Sequence, residues 1–168
     1  MGVNRVGFAI TDDEVCREAA YQEIIRRYLI AECDYKKGLI SEASLERAQL
    51  LMKEVGKEVS DRKVVQPARD YVEKKRQDER YMNVVAMAIE MPDGSIVTGR
   101  SSRRMAASAA AVLNAIKQLA GLPDEVLLIS PQVLESTQNL KSDVLKYDRA
   151  SLNLEEALIA LTVSGTHN

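Results

Sequence analysis

Seven consecutive residues, Thr98-Gly99-Arg100-Ser101-Ser102-Arg103-Arg104, hold the side chains of this chain best suited to gripping an anion. They fall where a short strand-like run, Ile96 to Gly99, passes into the apolar, helix-like run that begins at Met105. A helix N-terminus presents unsatisfied N–H groups and the positive end of the helix dipole. Three arginines there are unfavourable unless they splay into solvent or an anion sits among them. Guanidinium groups bind phosphate or carboxylate through paired donors, serine hydroxyls add further donors, and a glycine permits close backbone approach. The competing reading has Ser101 or Ser102 capping the helix and the arginines solvated or paired with acidic neighbours. The chain contains no G-x-x-x-x-G-K-[ST], so this is not a phosphate loop of the nucleotide-hydrolase type.

Other site chemistry is poorly supplied. The only histidine is His167, next to the last residue, which makes it a poor general base for a Ser–His or Cys–His pair. Cys16 and Cys33 fall within one expected helix, where a rise of about 1.5 Å per residue separates them by roughly 25 Å, too far for a disulfide. A tetrahedral zinc site requires about four nitrogen or sulfur ligands, and the expectation is no metal and no cofactor.

The elements that must position the junction are legible on both sides of it. Asn83 to Met91 reads as a strand, Pro92-Asp93-Gly94-Ser95 as its turn, and Ile96 to Gly99 as the returning strand. Proline sets φ at the first turn position, aspartate bonds its own backbone, and glycine takes the left-handed position. Met105 to Leu113 is apolar almost all round, which predicts a helix buried between layers. Val126-Leu127-Leu128-Ile129 is a continuous apolar run, the pattern of a strand covered on both faces. Ser130-Pro131 opens a helix to about Asn139, and 141–151 is polar and read as irregular. Asn153 with Glu156 is a capping box for a last helix driven by Ala157 to Leu161.

The first half reads as helical. Thr11 with Glu14 forms a capping box for a helix ending at Lys36-Lys37-Gly38, and Ser41 caps a second helix stopped by Gly56. Ser60 or Asp61 opens a third, to about Gln77, which Pro67 kinks or divides. The densely charged run 73–80 makes the best internal boundary. The expected organisation is therefore α+β, with a helical subdomain at 1–80 and an α/β subdomain at 81–168. A hydrophobic fraction of 46% supports a core, and a net charge of −2 leaves no electrostatic footprint for nucleic acid. No apolar run reaches the roughly 20 residues of a membrane helix, and no signal peptide is evident, so a reducing cytoplasm is the expected setting.

The order hairpin, apolar helix, strand, helix resembles the core of the cytidine-deaminase-like fold. Zinc deaminases carry H-x-E at the first helix and P-C-x-x-C after the following strand. Here those slots read Met105-Ala106-Ala107-Ser108-Ala109-Ala110 and Pro131-Gln132-Val133-Leu134-Glu135, so the zinc ligands are absent. The words MGVNRVGFAITDDE, QEIIRRY, PDGSIVTGRSS, ASAAAVLNAIKQLAG, LLISPQVLE, QNLK and EEALIAL run nearly end to end. By them the chain is identified as a member of the bacterial family termed domain of unknown function 1846. The resemblance implies an internal piece of proteins about three times longer, lying in their C-terminal half, with a phosphate-loop-like segment upstream. It supplies no catalytic residues. The expected function is one wall of an anionic-ligand or nucleotide site of a larger enzyme, with Thr98 to Arg104 as the tentative ligand residues. The alternative is a structural or oligomerisation module without a ligand of its own. Expected partners are the remainder of the longer protein, a second copy and a small anion; nucleic acid and membrane are not expected.

Overall fold

The computed structural model describes residues 12–166 and divides into two compact units, up to Lys63 and from Val64 onward. Thr11 and His167 lie outside the described residues.

The first unit is a helical hairpin. Helix α1, Asp13–Lys36, is capped by Asp12, whose carboxylate accepts from the Glu14 and Val15 N–H groups at 2.9 and 3.2 Å. Helix α2, Glu42–Glu54, starts after Ser41 and packs back along α1, with Ile25 of α1 and Met52 of α2 buried. A 3-10 turn at Val59–Asp61 follows, tied to α1 where the Gln22 amide donates to the Asp61 carbonyl at 3.0 Å.

The second unit begins with α3, Val65–Arg76, which packs on the hairpin strands. That packing groups α3 with the sheet, where it finds its apolar partner, and the compact units divide at 63/64. Pro67 falls in the first turn of α3, where its missing N–H costs nothing, so it starts the helix instead of breaking it. A second 3-10 turn, Glu79–Tyr81, leads to β1, Ala86–Glu90, which pairs antiparallel with β2, Ile96–Arg100. The connecting turn is built as its residues dictate. Asp93 Oδ1 accepts from the Ser95 N–H at 2.9 Å and from its hydroxyl at 2.6 Å, and Gly94 has φ +82°.

Helix α4, Ala107–Leu119, packs against both strands, with Ala109 and Ala111 fully buried. A Cβ added to Gly99 would lie 2.1 Å from the Ala111 nitrogen, so only glycine lets helix and strand approach so closely. Helix α5, Pro131–Asn139, is capped by Ser130 and runs into a π-helical turn, Leu140–Val144. Helix α6, Leu154–Thr166, opens with the expected reciprocal box. Asn153 Oδ1 accepts from the Glu156 N–H at 2.9 Å, and Glu156 Oε2 accepts from the Asn153 N–H at 2.8 Å. Ala109, Leu113, Ile129, Leu152, Ala157 and Ala160 form the main core between α4, α6 and the segments beside them.

The class is α+β, with six α-helices and one two-stranded sheet among the described residues. The strand expected at 126–129 is not formed. A strand exists only through hydrogen bonds to a neighbour, and this run pairs with neither β1 nor β2. It bends at Leu128–Ile129, burying Ile129 and leaving Val126 and Leu127 exposed. The irregular stretch expected at 141–151 begins within the π-helical turn.

Candidate functional site: a cationic cleft at the start of a helix

Period-two alternation along β2 separates the junction residues. Gly99 faces α4, whereas Arg100 sets its guanidinium over the Tyr81 ring at 4.9 Å from the centroid. Lys75 of α3 reaches the same ring at 5.7 Å. Thr98 serves the fold through its carbonyl, which accepts from the Asn114 side-chain amide at 2.9 Å. The glycine thus performs the close approach expected of it, but toward a helix rather than a ligand.

The two serines are also placed differently from a helix cap. Ser101 Oγ accepts from the Val85 N–H at 2.9 Å, and Ser102 Oγ accepts from the Arg104 and Met105 N–H groups at 3.2 and 3.1 Å. Ser102 folds the turn between β2 and α4, and Ser101 ties the end of β2 to the residue before β1. The N-cap of α4 is Ala106, with no side-chain cap. The capping alternative therefore fails for α4, because the turn inserts Arg103 to Met105 between the serines and the helix.

Arg100, Ser101, Ser102 and Arg103 line a cleft of about 1120 Å³, together with Arg80, Tyr81, Asn83, Ala106, Ala107 and Arg149. Four arginines from three separate segments meet a single acidic lining residue, Glu79. Arg80 is neutralised locally by Asp78 at 2.6 Å, whose carboxyl the arginine's hydrogen bonds pull down to about 2. Arg103 and Arg149 have no acidic partner among the described residues. The uncapped start of α4 adds the positive end of its dipole. Arg104 turns elsewhere, into a smaller cavity of about 530 Å³ walled by Met105, Leu113, Leu128, Ile129 and Leu134.

Arg149 had no signal in the sequence, since it lies in a polar stretch without periodicity. A buried lysine holds the same loop two residues further on. Lys141, only 6% exposed, donates to the Ser151 carbonyl at 2.7 Å and to Glu156 Oε2 at 2.6 Å. Leu152, fully buried, donates to the Arg104 carbonyl and accepts from the Ala106 N–H, tying that loop to the approach to α4.

Cys16 and Cys33 are exposed free thiols. Among the described residues, no group of three or more His, Cys, Asp or Glu is placed to hold a metal ion. None of the described helices is long and apolar enough to cross a membrane.

This is an α+β chain with a cationic cleft, and its family is defined by comparison. Residues 60–168 match the family described as Domain of unknown function DUF1846, C-terminal, and residues 1–56 match its N-terminal counterpart. The chain belongs to this family. It is 48% identical over 169 residues to a UPF0371 protein of Clostridium botulinum strain Langeland, covering 100% of this chain and 34% of the relative. A UPF0371 protein of strain Alaska E43 is likewise 48% identical, over 170 residues. The chain thus spans about a third of the length of these relatives.

Proposed function

We propose that the cleft before α4 binds the anionic group of a small ligand and forms one wall of a site in a longer cytoplasmic bacterial protein. The observation that carries this reading is the gathering of Arg100, Arg103 and Arg149, with the Asp78-paired Arg80, around an uncapped helix start where Glu79 is the one acidic lining residue. The Tyr81 ring already carries Arg100 and Lys75, so the ligand is recognised here by charge and not by stacking on that ring. Charge-assisted hydrogen bonds are worth about 1.5–3 kcal/mol each. Calorimetric titration of inorganic pyrophosphate into the full-length protein tests this. An Arg100→Ala, Arg103→Ala double variant should bind at least about tenfold more weakly, and equal affinity refutes the reading.

The hairpin and following helix keep the order of a cytidine-deaminase-like core. In this reading 126–129 becomes its third strand once the longer protein supplies a pairing partner. Slow amide exchange at these residues in the full-length protein supports that, and fast exchange rejects it.

A second reading, an assembly module, is favoured by the exposed Val15, Leu39 and Leu50 of the helical hairpin, at 64%, 68% and 58%. Apolar surface of this kind recruits partners when it is contiguous. Light scattering showing a monomer across a wide concentration range would reject self-association.

A further inference from the structure

We infer that Arg149 is a ligand-binding residue of the cleft and that the buried Lys141 is the residue that positions it. This rests on the anion-binding reading above and adds to it a direct ligand contact for Arg149 and the residue that holds its loop. Arg149 sits on an exposed loop after the π-helical turn, where a free arginine samples many orientations. Two anchors bracket the residues just after it: the Ser151 carbonyl, held by Lys141 Nζ, and Leu152, bridged to the backbone of residues 104 and 106. The ammonium is itself fixed by Glu156, whose other duty is the capping box of α6. Lys141 therefore faces a carboxylate on α6, a carbonyl on the loop, and the Tyr147 ring at 5.8 Å.

This geometry explains why a lysine is buried where a methionine would pack. An apolar side chain would fill the same space but leave the Ser151 carbonyl without its donor and the loop without its anchor. Three cation-bearing segments converging on one cleft favour a ligand with more than one anionic group, such as a diphosphate, over a single small anion.

The test is pyrophosphate titration of the full-length protein with Arg149→Ala, Lys141→Met and both together. Arg149→Ala should weaken binding about tenfold. Lys141→Met should weaken it comparably, and the double variant should be no worse than Arg149→Ala alone, because Lys141 acts only through Arg149. Lys141→Arg, which keeps the donor, should recover part of the loss. Unchanged affinity in Arg149→Ala overturns the assignment of Arg149, and additive losses in the double variant overturn the positioning role. No binding by the parent protein overturns the anion-binding reading itself, and this inference with it. If Lys141→Met fails to fold, amide exchange of 148–152 in Glu156→Gln decides instead. Faster exchange there than in the parent supports the anchor, and unchanged exchange refutes it.

Discussion

Gly99→Ala should be among the most damaging single-methyl additions in this chain. The new Cβ would meet the Ala111 nitrogen at 2.1 Å, the Ala111 Cα at 2.5 Å and the Ala110 carbonyl carbon at 2.6 Å. All three are helix backbone, so no side chain can swing aside. Restoring an ordinary contact requires α4 and β2 to separate by more than about 1 Å, against a close-packed core. That movement opens the contacts of Ala115 with Met91 and Val97 and stretches the 2.9 Å bond from Asn114 to the Thr98 carbonyl. Overpacking of this kind costs about 1–3 kcal/mol and a strained hydrogen bond about 1 more, giving an expected loss of about 3 kcal/mol. Urea denaturation followed by circular dichroism measures it as a lower midpoint at unchanged slope. Gly165→Ala is the control: its Cβ meets nothing within 4 Å in α6, and it should be neutral or slightly stabilising. A Gly99→Ala protein within about 0.5 kcal/mol of the parent would refute the reasoning. It would mean that α4 does not rest on β2 as described.

Three further outcomes are expected. Asn153→Ala removes the acceptor for the Glu156 N–H and should lower stability by about 1 kcal/mol, read from the same urea titration. Burial pushes the Glu156 carboxyl up, but the hydrogen bond from Lys141, that from the Asn153 N–H and the lysine's charge together bring it below the ordinary 4.5. A depressed folded value means its contribution is complete above 4.5 and is lost as pH falls through and below that value, so the stability gap between parent and Glu156→Gln should shrink on acidification toward pH 3. Protein purified without a histidine tag should carry no stoichiometric zinc in elemental analysis, since cysteine and histidine ligands are not grouped among the described residues.

What could be read in the sequence was whatever is decided locally. The Pro92-Asp93-Gly94-Ser95 turn, the Asn153–Glu156 box and the burial of the alanine-rich helix each follow from a few neighbouring residues and were built as expected. The run 126–129 shows the limit. Its apolarity demands cover, but becoming a strand depends on a partner that no local pattern supplies. The charged run 73–80 is silent on packing for a related reason. Charge marks solvent exposure on one side of α3 and says nothing of the sheet packed on another. Among the residues lining the cleft, Arg100 and Arg103 are neighbours in sequence at the strand-to-helix junction, whereas Arg80 and Arg149 reach it only through tertiary structure.

The junction then has a physical logic that neither the anion reading nor the capping reading contained. Ser101 spends its hydroxyl oxygen on the Val85 N–H before β1, Ser102 spends its own on N–H groups of the turn, and Ala106 brings no polar side chain to the cap. A serine at Ala106 would satisfy the open N–H groups of α4 for about 1 kcal/mol. Its absence leaves those donors and the dipole directed at a cleft that already carries four arginines. Positive end and positive side chains are tolerable together at an exposed site in salt, where solvent weakens their repulsion and screening removes most of it beyond about 10 Å. In the proposed reading they become an advantage once an anion enters. Gly99 and Arg100 are neighbours on β2, so the alternation that seats the glycine against α4 necessarily turns the arginine toward Tyr81 and the cleft. A one-residue slip of that strand would lose the helix packing and the cation together, which couples the stability of this unit to the geometry of its site.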